Sequence, residues 1–195
     1  MPRQPDPDLH ERILNAAQKL WKKGAEKTLT MRAVAQAAGT NTPAVYRRFR
    51  NRDDILRALL RRIQQDVGDA LRPCRSPEEV CQRYLEYALS HSHEYELFYT
   101  NAYQLSPAVR SGRRSPLREH RPAMALVEEK LAERLGGSPA EHTCLSLALW
   151  TVAHGTAMLL ISKAIPEEHV SELRAAFTAA VETLISNPSG LPVRK

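Results

Sequence analysis

Apolar residues recur three and four positions apart along nearly all of this 195-residue chain, and almost no stretch alternates with period two. That spacing lines up one face of an α-helix, so the chain reads as all-α. Proline, glycine and serine gather where the pattern breaks and divide it into about nine helices.

The first helix is expected from about Asp8 to Lys23, with Leu9, Ile13, Ala16, Ala17 and Leu20 as its stripe. The second starts at Thr30 and buries Met31, Val34, Ala35 and Ala38 before Gly39. A very short third helix has Thr42 as its cap and Pro43 at the first helical position, with Val45 and Phe49 inward. Asn51, followed by Asp54, caps a fourth helix that stays packed to about Arg72. Past Pro73, Ser76-Pro77-Glu78-Glu79 opens a helix to about Ser92, and another covers about Glu94 to Tyr103. Gln104 to Pro116 reads as a loop. A helix is expected near Leu117 to Leu135, with Pro122 bending it or marking its true start. Gly136-Gly137 stops it, and Ser138-Pro139-Ala140-Glu141 opens an uncharged helix to about Ala164. The last helix starts at Pro166 and carries Val170, Leu173, Phe177, Val181 and Leu184 to about Asn187.

Hydrophobic residues make up 43% and charged residues 26%, which excludes a largely disordered chain. The net charge of +6 is uneven. Residues 1–62 hold 14 Lys and Arg against 6 Asp and Glu, whereas the remainder holds 14 against 16. A basic first third on a slightly acidic body suits a polyanion-binding head, with a chance surface bias as the plain alternative. Cys74, Cys81 and Cys144 have no framework spacing, and no apolar run follows Met1, so a reducing cytoplasm is expected. Thr143 to Ser162 lacks Asp, Glu, Lys and Arg and is long enough to span a bilayer. Its Thr, Ser and His residues and unanchored flanks favour a buried helix, so no membrane is expected. His91, His93, His142, Cys81 and Cys144 lack a metal-ligand spacing, and no nucleotide or nucleophile motif occurs. No metal, cofactor or enzymatic activity is expected.

The second and third helices, joined at Ala38-Gly39-Thr40, have helix-turn-helix proportions. Small and polar Asn41, Thr42, Pro43 and Ala44 allow a close backbone approach to bases. Asn can read adenine, and Thr or Ala can touch a thymine methyl. Tyr46, Arg47, Arg48 and Arg52 supply phosphate-directed donors. A plain helical hairpin with a solvated basic face has the same periodicity.

Thr-Met-Arg-Ala-Val-Ala-Gln-Ala-Ala-Gly (30–39), followed by Thr-Pro-Ala-Val-Tyr-Arg-Arg-Phe-Arg-Asn-Arg-Asp-Asp-Ile-Leu (42–56), resembles the DNA-binding domain of TetR-type transcriptional regulators. The resemblance covers about Leu9 to Leu60. It implies a three-helix head over 1–52, a connecting helix over 53–72, a larger ligand-binding and dimerisation domain over 73–187 and a flexible tail over 188–195. It places Thr30, Arg32 and Arg52 at phosphate-contacting positions, Arg52 standing where Lys is usual. Asn41 to Ala44 match the base-reading face, and Tyr46 and Arg48 match phosphate or base contacts, with Arg47 adding charge.

Trp150, His154 and Gly155 resemble a short Trp-x-x-x-His-Gly signature of one group of such C-terminal domains. The implied partners are a palindromic duplex operator, a small-molecule effector and a second copy paired through helices 143–164 and 167–187. The implied activity is a homodimeric repressor released by its effector, with an activator, or a basic helical protein without sequence-specific binding, as alternatives. Tyr84, Tyr87, Tyr95, Phe98, Tyr99 and Tyr103 lie on helices that line the effector pocket in the family. With Met124, Trp150, His154 and Met158 they form either a pocket wall or plain core. Pro73, between head and body, marks where motion could pass.

Overall fold

The computed structural model describes residues 6–24, 28–101, 117–119 and 121–188. Among them are nine α-helices and no strand, as the spacing predicts: α1 (Leu9–Gly24), α2 (Met31–Ala37), α3 (Thr42–Tyr46), α4 (Arg52–Leu71), α5 (Pro77–Ser90), α6 (Ser92–Asn101), α7 (Pro122–Leu135), α8 (Thr143–Ile161) and α9 (Val170–Ser186). Short 3-10 turns at Leu117–Glu119, Pro139–His142 and Glu167–His169 precede α7, α8 and α9.

Local chemistry sets most of these boundaries. The α2–α3 turn satisfies the last carbonyls of α2 through Thr40 N–H to Ala35 O at 3.0 Å and Gly39 N–H to Gln36 O at 3.2 Å. That paired arrangement needs a left-handed residue, and Gly39 has φ +63°. Open space surrounds Gly39, so only the backbone angle opposes a side chain there. Gly39→Ala is therefore expected to cost about 1 kcal/mol in denaturant unfolding, with no change in the folded core.

Four sequence expectations shift. The cap of α3 is Asn41, not Thr42: its Oδ1 accepts the Ala44 N–H at 2.9 Å. Thr42 is then the first helical residue. The α-helix expected from Leu117 begins at Pro122, which has no N–H to leave unpaired at a first turn. The last two helices each begin four residues later than their prolines suggest, because a 3-10 turn intervenes. Finally, α8 is not buried all round. It is long and apolar enough to cross a membrane by length and composition, yet only a third of its most apolar stretch is buried within the chain. Thr151, Gly155 and Leu159 face outward along it.

Two apolar cores result. Ile13, Ala17, Val34, Val45, Phe49, Ile55, Leu59 and Leu60 fill the first, between α1, α2, α3 and the start of α4. Leu71, Val80, Leu85, Leu131, Leu149, Phe177 and Ile185 fill the second, between α5, α7, α8 and α9. Each fully buried leucine or isoleucine contributes about 1.5–3 kcal/mol. Helix α6 belongs to both: Leu97 and Phe98 complete the first core, and Tyr95 the second.

Candidate nucleic-acid interface and ligand cavity

The short helix α3 sits across the end of α2, its Val45 and Phe49 locked into the first core. Everything polar on it therefore points away. Tyr46 is 54% exposed. Asn41, Pro43, Arg47 and Arg48 are also exposed, and Thr42 is half-buried. Ala44 departs from the expected base-reading face: it is 4% exposed and packs with Val45 inside the core. In a helix of barely one turn its methyl lies on the inward side.

Thr30 and Arg32 lie exposed at the start of α2, where the Thr30 hydroxyl accepts the Ala33 N–H at 3.1 Å. Arg48 donates to the Asp6 carbonyl at 3.2 Å, which ties the segment before α1 to α3. Arg52 is half-buried at the start of α4, with Asp53 3.9 Å away. Other arginines of this region serve the fold. Arg57 pairs with Asp54 at 2.8 Å, and Arg62 clamps Glu11 and Asn15 of α1. Among the described residues, no carboxylate pairs with Arg32 or Arg47. The surface thus gathers uncompensated positive charge around small polar side chains.

The second site lies in the body. Ile63, Gln64 and Val67 of α4, Tyr84 and Tyr87 of α5, Tyr95, Phe98 and Tyr99 of α6, Arg121 through Met124 and Trp150 line one cavity, partly open to solvent. Of the residues expected at a pocket, Tyr84, Tyr87, Phe98, Tyr99, Met124 and Trp150 line it together. His154 stands behind the tyrosines, and Met158 packs against the second core instead. Tyr103 lies outside the described residues. Arg121 and the α4 side chains went unforeseen; a cation directly before a helix-opening proline was the one available signal for Arg121.

The aromatic wall is stitched by hydroxyls. Trp150 Nε1–H donates to Tyr99 at 3.0 Å and to Tyr84 at 3.2 Å. The Tyr84 hydroxyl bonds those of Tyr99 and Tyr95, the latter at 3.2 Å. Tyr95 meets His154 Nδ1 at 2.7 Å. Burial first, and the Arg121 charge second, push the His154 pKa below its usual range. In the neutral ring, Nδ1 accepts from the Tyr95 hydroxyl when Nε2 carries the ring hydrogen. Burial above all holds the phenols of Tyr84 and Tyr95 protonated, and burial with the Asp66 and Glu94 charges raises Tyr87 to about 12.

Helix α6 links this wall to the first core. One turn before Phe98, Glu94 is 6% exposed and accepts from Lys22 at 2.6 Å and Gln18 at 3.1 Å, both on α1. Burial raises the Glu94 pKa, but the bonds from Lys22 and Gln18 outweigh it and leave the carboxyl below its ordinary value of 4.5. Its ionised form therefore stabilises the fold above that value, and the contribution is lost as pH falls through the lower folded one. Glu94→Gln is expected to lower unfolding free energy at pH 7 by about 1 kcal/mol. The gap from the parent should close as pH falls below the ordinary carboxylate range, as a denaturant series against pH will show.

Residues 13–59 match the family described as bacterial regulatory proteins, tetR family, and residues 78–184 match the tetracyclin repressor-like C-terminal domain. No individually curated protein matches the chain. Among solved structures, a protein of unknown function from Rhodococcus sp. RHA1 is 23% identical, with TM-score 0.72 and 98% of each chain covered. The multidrug binding protein EbrR, complexed with imidazole, is 20% identical with TM-score 0.63, covering 100% of this chain and 95% of its own. SmeT, the repressor of the Stenotrophomonas maltophilia multidrug efflux pump SmeDEF, is 17% identical with TM-score 0.54, covering 98% of this chain and 92% of its own. At these identities the likeness is one of fold. The C-terminal match alone spans more than half of the sequence, and the narrower Trp-His-Gly subgroup lies beyond what it identifies. On the two matches together, this chain belongs to the tetR family of DNA-binding bacterial regulators, which are transcription regulators and not enzymes.

Proposed function

We propose that this regulator is a cytoplasmic homodimeric repressor, released from a palindromic operator by a small molecule that enters the aromatic cavity. Residues 1–52 act as the reading head, 53–72 as a connecting helix, 73–187 as the ligand-binding and dimerising body and 188–195 as a tail. Asn41, Thr42 and Pro43 approach base edges. Thr30, Arg32, Tyr46, Arg47, Arg48 and Arg52 hold phosphates. Asn41 already caps α3 through Oδ1, so its amide nitrogen is the atom left for a base.

The observation that carries the release mechanism is the double allegiance of α6. Tyr95, Phe98 and Tyr99 line the cavity, while Glu94 grips α1 and Leu97 fills the head core. A ligand seated on the tyrosines displaces α6, and the head moves with it. An effector that favours a conformer with a different head separation lowers operator affinity by its differential affinity for the two states. Passage through α6 lies beside the route past Pro73 between head and body. EbrR, a multidrug binder, and SmeT, an efflux-pump repressor, share the fold and are consistent with this reading.

The two heads are paired through α8 and α9, where small and apolar Thr151, Gly155 and Leu159 on α8 and Ala175 and Ala179 on α9 lie exposed, with Glu172 and Glu182 flanking the two alanines. Pairing across a two-fold axis covers both copies of this face and accounts for the uncharged α8 without a bilayer.

Selection of sites from a random duplex library tests the reading. An enriched inverted repeat is expected, and its half-site spacing reports the head separation. Retention of every sequence alike, weakened only by salt, would reduce the head to a non-specific basic surface.

A further inference from the structure

We propose that the cavity takes an aromatic carboxylate, its ring on the tyrosine–tryptophan wall and its anionic head on Arg121. This rests on the reading of the cavity as the effector site. Among the described residues, the lining contains tyrosines, apolar side chains, Gln64 and one charged group, Arg121, and no Asp or Glu. Asp66 and Glu94 act on Tyr87 from outside this lining, and Glu94 is held by Lys22 and Gln18, so a ligand cation meets no carboxylate on the described wall itself.

The place that would suit a cation is already taken. The Arg121 guanidinium carbon lies 5.0 Å from the Phe98 ring centroid, 5.4 Å from Trp150 and 5.8 Å from Tyr99. Such faces attract positive charge, and the chain supplies it from its own Arg121 side chain. A second cation must displace a tethered one and is repelled meanwhile.

An anion meets the opposite situation. Among the described residues, no carboxylate pairs with Arg121, and the nearby Glu94 is held by Lys22 and Gln18. The planar guanidinium offers parallel N–H donors that match a carboxylate bidentately. Arg121 also stands at the start of α7, where no side chain caps the helix and the dipole adds positive potential.

A second, partly open apolar hollow shares Tyr84, Ala123, Met124 and Trp150 with the first and is otherwise walled by Leu71, Val80 and their neighbours. At its far side Ser146, 1% exposed, has no hydrogen-bond partner for its hydroxyl. A ring reaching past Trp150 thus meets one polar atom waiting for a partner, with the charge at the other end.

The test titrates the full-length protein calorimetrically with three molecules of one shape: naphthoate, naphthylmethanol and naphthylmethylammonium. Naphthoate is expected to bind about tenfold tighter than the alcohol, with the ammonium weakest. Arg121→Gln should abolish the preference for naphthoate over the alcohol. Arg121→Met, which keeps the apolar stem over the rings, serves the same purpose should the glutamine variant melt early. A preference for the ammonium, or a naphthoate preference that survives both substitutions, overturns the proposal while the cavity stays a ligand site. Binding of none of the three overturns the cavity reading with it.

Discussion

Arg32→Ala combined with Arg47→Ala is expected to weaken operator binding about 100-fold near physiological salt, with the melting temperature unchanged. Both side chains are exposed, and no carboxylate among the described residues pairs with them, so the fold loses nothing with them. Each phosphate that the variant no longer neutralises should also flatten the dependence of log affinity on log salt by about 0.9. The effect should fall alike on the selected site and on unrelated duplex, because phosphates carry no sequence. An unaltered salt slope would move the DNA to another face of the head. Arg62 makes the informative contrast: it pairs with Glu11 and bonds Asn15, so its removal should loosen α1 from α4 and lower stability first.

Leu159→Glu should convert the assembly to monomers. Leu159 is 38% exposed in the single chain, and a carboxylate there stays in water as long as the chain is alone. Across a two-fold interface the same change buries two unpaired charges at once, at a cost of several kcal/mol. Light scattering should report the mass of one chain, and operator affinity should collapse because one head grips only a half-site. A mass that stays at two chains would assign the pairing to a surface other than α8 and α9.

The sequence spoke most clearly where structure is decided within a few residues. Gly39, the Pro77-led start of α5 and the stripes of α1, α2 and α4 all encode local backbone preferences, and those elements form where the pattern sets them. The cap of α3 slipped by one because Asn41 and Thr42 are both competent acceptors. The two bonds that close α2 end the turn at Thr40 and hand the cap to Asn41. Ala44 misled through its size: a methyl small enough for a base edge is equally suited to a tight core.

Helix α8 posed the opposite problem. With no polar stripe, its composition cannot say which side packs inward; only packing against α5 and α9 decides that. Aromatic clustering pointed to the cavity wall, yet could not reveal that His154 lies behind the tyrosines or that Arg121 covers them. Those placements depend on residues far apart in the chain, and no local spacing encodes them.

The shared helix α6 also limits how interchangeable the parts of this regulator are. A chimera that carries residues 1–72 onto a foreign body would leave Leu97 and Phe98 behind. Their absence strips apolar cover from the head and leaves Lys22 and Gln18 without Glu94. Recombination at the α4 boundary, where the sequence offers its plainest break, divides one packing unit. Transplanting the head therefore means transplanting a decapeptide from the middle of the body with it, and the head and the aromatic wall are inherited together rather than exchanged as separate modules.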